Sequence, residues 1–158
     1  MKMALKWLGA AAMLVLAFPA RAQMVRAQDP QSLVAAMQAA GYEAVLGIDR
    51  IGDPKIDSSV SGSRFVVFFY NCTDNRECAT IQFHSAYDVP SAITLDRINA
   101  WNSSQRFGRA YLDREGDPVL EMDVDLDDGG ISTALFIDNL QFWETVLVNF
   151  ERHIGWRE

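Results

Sequence analysis

Apolar positions recur at helical spacing near both ends of this chain and at strand spacing through most of what lies between. Phe136, Leu140, Trp143, Leu147, Phe150 and Ile154 are separated by 4, 3, 4, 3 and 4 residues, a continuous stripe along one helix face. Leu135, Phe142 and Val146 widen the stripe. A helix laid across a broad sheet explains that width, and so does a helix shared with a second copy of the chain. Nearer the start, Asp29-Pro30 offers a capping side chain followed by proline at the first helical position. Leu33, Val34, Met37 and Ala40 continue at helical spacing, and Gly41 ends the helix. A third helix is expected from Ser91 to Ser103, with Leu95, Ile98 and Trp101 on adjoining turns and Asn102 suited to the helix terminus.

Strand patterns fill the intervals. Short strands are predicted at Ala44–Ile48 and Lys55–Val60 around a Gly52-Asp53-Pro54 turn. Phe65–Tyr70 is apolar on both faces, which predicts a central strand covered on both sides. In residues 79–84, Ala79, Ile81 and Phe83 point inward while Thr80, Gln82 and His84 point outward. A later hairpin places Ala110 and Leu112 on one face and Phe107, Arg109 and Tyr111 on the other. It turns at Glu115-Gly116-Asp117-Pro118. The return strand alternates Leu120, Met122, Val124 and Leu126 with Glu121, Asp123, Asp125 and Asp127. Pairing Leu112 with Leu120 sets Arg109 opposite Asp123 and Tyr111 opposite Glu121, and such a charge pair stabilises by about 0.2–1 kcal/mol. The acids then form mostly a solvated sheet face. The order is α-β-β-β-β-α-β-β-α, an α+β domain with an antiparallel sheet flanked by helices.

Residues 1–22 read as a cleavable export signal rather than part of the fold. Lys2 and Lys6 precede an apolar run of 11 from Leu8 to Phe18, and Ala20-Arg21-Ala22 supplies small residues at the cleavage positions. A membrane-spanning helix needs roughly 20 such residues. The expected location is periplasmic or secreted, with no membrane association after cleavage. The whole chain carries a formal charge of -7. Without residues 1–22, which hold three bases and no acid, it has 11 basic and 21 acidic residues, a net of -10. That balance argues against nucleic acid or an anionic membrane as partner. Behind an export signal, Cys72 and Cys78 read as a disulfide clamping the loop of a hairpin.

Several segments together resemble the YbjN domain family, a group of proposed bacterial sensory transduction regulators. They are the helix running into Gly41-Tyr42, the apolar strand leading to Cys72 and Cys78, and Ile98-Asn99-x-Trp101-Asn102. Arg106-Phe107-Gly108-Arg109-Ala110-Tyr111-Leu112-Asp113 and Gly129-Gly130-Ile131 before a tryptophan-containing helix complete the set. The likeness spans residues 29–154 as one domain. It implies a fold similar to type III secretion chaperones, a polypeptide partner, and a binding or regulatory role with no catalytic residues or cofactor to carry over. An export signal and a cysteine pair depart from the picture of a cytoplasmic regulator.

Candidate chemistry is thin. Asp123, Asp125, Asp127 and Asp128 before Gly129-Gly130 suggest a calcium loop, but the sixth place of an EF-hand would be Asp128 and the twelfth Ala134. A divalent-ion or small-ligand sensor built on the acidic strand 121–128 is the first alternative function, with Asp123, Asp125 and Asp127 as its ligands. The second is a hydrolase centred on His84. Neither His84 nor His153 sits in a catalytic motif, and no G-x-S-x-G, H-E-x-x-H or phosphate-binding glycine loop occurs.

Overall fold

The computed structural model describes residues 23–89 and 92–156. The expected export signal and the expected helix start at Ser91 lie outside them. The elements are β1 (Met24–Val25), α1 (Pro30–Ala39), β2 (Glu43–Ile48), β3 (Pro54–Val60), β4 (Ser63–Tyr70) and β5 (Thr80–Ala86). They continue with α2 (Leu95–Ser104), β6 (Arg109–Leu112), β7 (Pro118–Asp125), β8 (Ile131–Ser132) and α3 (Thr133–Ile154). Strands β2-β3-β4-β5-β7-β6 form one antiparallel sheet, and β1 pairs with β8 in a smaller one. The fold is α+β in the expected order, with β1 and β8 added.

All six residues of the α3 stripe are buried against the sheet. The Trp143 ring stacks on Phe83 at 5.6 Å and meets Phe65 edge-on at 5.9 Å, so three elements share one aromatic contact. Leu33 and Met37 bring α1, and Ile98 and Trp101 bring α2, to the same core. Trp101 abuts Phe150 at 5.0 Å. Ser132 caps α3 by accepting from the Leu135 amide, and Gly155 closes it at φ 75°, a left-handed conformation that glycine adopts without steric cost.

Several expectations are corrected. β4 is central in the sheet but covered on one side only: Phe65, Val67 and Phe69 are buried, while Val66 and Phe68 are half-buried and Tyr70 is exposed. The apolar residues of its second face stay at a surface that no described helix covers. Helix α2 begins at Leu95, because Thr94 takes the capping position and accepts from the Arg97 amide at 3.3 Å. Leu95 is accordingly exposed. Asp29 makes no side-chain cap for α1. The β6–β7 register also differs by two residues. Asp113 closes the turn by accepting the Glu115 and Asp117 amides, so Leu112 pairs with Pro118 and Arg109 faces Glu121.

Cys72 and Cys78 are joined, with Cys78 fully buried. The loop between them holds Asp74, Asn75 and Glu77 at positive φ, and Asn75 donates to the Ile51 carbonyl at 3.1 Å and to Asp53 at 2.8 Å. The bonded loop is thereby pinned to the β2–β3 turn. Reduction frees a short loop from the constraint on its unfolded state, about 2 kcal/mol on the chain-entropy account. The melting temperature should fall by about 5–10 °C under non-denaturing reduction, measured by differential scanning fluorimetry. An unshifted midpoint with both thiols labelled would show that the bond carries no stability.

Candidate functional site

With every described helix on one side, the other side of the large sheet is uncovered among the described residues. Toward its β6 edge runs a row across three strands, Arg109 on β6, Glu121 on β7 and His84 on β5, set by the registers Arg109↔Glu121 and His84↔Glu121. Glu121 is only 6% exposed although it lies on this open side. Its carboxylate is enclosed by its neighbours. One oxygen is bonded by the Arg109 guanidinium, and the other accepts the Tyr111 hydroxyl at 2.8 Å and meets His84 Nδ1 at 3.3 Å. The Arg109 guanidinium also lies over the Tyr111 ring, 5.7 Å from its centroid.

A second row runs beside it. Gln82 donates to Asp123 at 2.8 Å and accepts the Tyr70 hydroxyl at 3.3 Å, while Phe68 packs edge-on against His84 at 5.3 Å. Burial, then the negative charge and hydrogen bond of Glu121, push the Tyr111 phenol up to about 12. Tyr70 is raised as well, by burial first and then by the charges of Glu121, Asp123 and Asp49. The bond to Glu121 raises Arg109 further. This row therefore presents neutral phenols, the cationic Arg109 guanidinium and a carboxylate with both oxygens engaged. That is a rigid hydrogen-bonding and aromatic surface.

Beside this row, the Arg106-Phe107-Gly108 loop forms the wall of a cleft of about 490 Å³ whose floor is Glu121 and Asp123. Gly108 is required there, since a Cβ at its φ of +80° would lie 2.5 Å from the Val146 side chain. Phe107 is anchored on Phe142 of α3 at 4.9 Å. Arg106 lies over the Phe107 ring rather than on an acid, 5.6 Å from the centroid. Asn102 also has a different role from the expected helix cap. Its amide accepts from the Ala110 N–H and donates to the Ala110 carbonyl, both at 2.9 Å, and so stands in for a neighbouring strand.

The acids of strand 121–128 are separated by function. Glu121 is the enclosed hub, which corrects its assignment to a solvated face; Asp123 holds Gln82; Asp125 and Asp127 fold back on the Asp127 and Asp128 amides. No group of three metal-ligating side chains converges among the described residues, so Asp123, Asp125 and Asp127 are not brought together as a metal site. No serine, threonine or cysteine is hydrogen-bonded to His84 among the described residues. His153 instead donates at the α2–α3 junction, from Nε2–H to the Arg97 carbonyl at 2.8 Å. Sequence patterning identified the face on which Glu121 lies. Its burial depends on Arg109 facing it directly, which needs the two-residue register change.

The family model described as "Putative bacterial sensory transduction regulator" matches residues 29–156, most of the chain. The chain belongs to the YbjN family. No curated protein and no solved structure matches it. The YbjN match covers both the open face and the helices behind it, and a regulatory rather than catalytic module agrees with that description. No described helix is long and apolar enough to cross a membrane.

Replacing Glu121 by glutamine should bring the Tyr111 phenol down from about 12 toward its ordinary value, read as earlier phenolate absorbance and assigned by comparison with Tyr111→Phe. In the parent protein the raised phenol favours the folded state fully below pH ~10, and that contribution disappears as pH rises through ~12. Glu121→Ala, which leaves its hydrogen-bonding partners unsatisfied, should cost about 1–3 kcal/mol in chemical denaturation.

Proposed function

We propose that this YbjN-family chain is exported and acts as a non-enzymatic, chaperone-like binding module whose open sheet face docks a polypeptide. The observation that carries this reading is the uncovered face itself. It pairs exposed rings, Tyr70 and Tyr111, with polar groups already held in place by Glu121, Gln82 and Asp123. Aromatic side chains with pre-positioned polar atoms suit protein recognition, because little side-chain freedom is lost on binding. Export is supported by the apolar segment ending at Ala20-Arg21-Ala22 and by the Cys72–Cys78 bond, which an oxidising compartment sustains.

Crosslinking in the periplasm tests the reading. A photoreactive residue replacing Tyr70, which is exposed, should capture a discrete polypeptide, and the same residue at Asp138 on the far side of α3 should not. Equal capture at both positions, or none at either, would remove the docking role of this face. The purified mature protein should begin at Gln23 by N-terminal sequencing, and a retained Met1 would refute export by cleavage.

A further inference from the structure

The two edges of the large sheet are treated differently. At the β6 edge the Asn102 side chain bonds both backbone groups of Ala110 and closes the position to another strand. At the β2 edge the sheet ends, among the described residues, in a strand paired with β3 alone. The Asp49 amide bonds the Asp53 carbonyl at 2.8 Å, which fixes the pairing phase. Ala44, Leu46 and Ile48 therefore direct their amide and carbonyl groups away from β3. Of these, the Ala44 carbonyl is taken by Gln38 at 3.0 Å. Apolar side chains border the same edge: Val45 is 55%, Leu46 36%, Ile48 72% and Ile51 76% exposed. No proline or charged side chain interrupts Ala44–Ile48, although sheet edges are ordinarily guarded by such residues.

We infer that the β2 edge is the entry point of the partner, which adds there as an extended strand with alternating apolar residues and basic flanks. The inference rests on the polypeptide-docking reading and adds the sheet edge through which the chain reaches the open face. The backbone groups of Leu46 and Ile48 select an extended main chain, and the neighbouring apolar side chains select its residues. Charge selects the flanks. Glu43 and Asp49 bracket the strand, and the chain carries -7 overall. The same charges disfavour a second copy. Antiparallel pairing of β2 with itself about Leu46 sets Glu43 against Asp49 at both ends, a like-charge contact that destabilises strand pairing.

The test uses the mature protein and a synthetic peptide, Lys-Lys-Val-Thr-Val-Thr-Val-Lys-Lys, with a glutamate-flanked version as its counterpart. The lysine peptide should bind and slow hydrogen exchange at the Leu46 and Ile48 amides, while the glutamate peptide should not. Val45→Lys and Ile48→Lys place a charge at exposed positions on opposite sides of the edge. Each should retain the parent melting temperature and weaken the lysine peptide about tenfold or more, equivalent to ~1.4 kcal/mol. Binding that leaves both amides and both variants unchanged would overturn the β2 assignment while leaving polypeptide docking on another surface. No binding, or equal binding of the glutamate peptide, would overturn the inference. So would a concentration-dependent dimer abolished by Ile48→Lys, because the occupant would then be a second copy.

Discussion

The contact between Trp143 and the paired rings of Phe65 and Phe83 is the constraint from which the architecture follows. It seats a helix of 22 residues across the middle strands and gives α1 and α2 a common surface to pack on. Dispersion and apolar burial both favour this arrangement, since large aromatic rings fill the space between helix and sheet with few voids. Glu151 lies within the same interface and is bonded by the Ser63 hydroxyl of β4, so even the charged residue of the buried stripe ties α3 to the sheet. Concentrating the helices on one side leaves the other side of the sheet to be completed by its own side chains.

Completion takes the form of a polar network. Among the described residues no element covers Glu121, and it is buried because Arg109, Tyr111 and His84 close around it from adjacent strands. A carboxylate removed from water must be hydrogen-bonded, and both of its oxygens are. The consequence reaches its neighbours, whose neutral phenols are favoured by burial beside that negative charge. Hydrogen-bonded polar groups and exposed rings thus coexist on one surface.

Much of the scaffold was legible from periodicity. The α3 stripe, the inward set Ile81 and Phe83, and the inward set Leu120 and Met122 are all buried as the spacing predicts. Those signals are strong because one residue of slippage would turn each set to the wrong face. The register between β6 and β7 was not legible. A shift of two residues preserves every inward and outward assignment, so alternation cannot distinguish the two pairings. Only the hydrogen bonds of Asp113 in the turn select one of them. Arg109 was expected on an acid and is on one, but on Glu121 rather than Asp123.

The primary structure by itself determined the α+β class and the helix faces, because both depend on residue types at short, regular spacings, and its motifs carried the YbjN likeness. The tertiary structure decided which strand ends the sheet, which edge Asn102 closes and which carboxylate becomes buried. Those properties depend on pairings between segments far apart in the chain. The strand Phe65–Tyr70 shows the difference: its two apolar faces were evident in its residues, yet helices cover just one, because α3 can lie on only one side of the sheet.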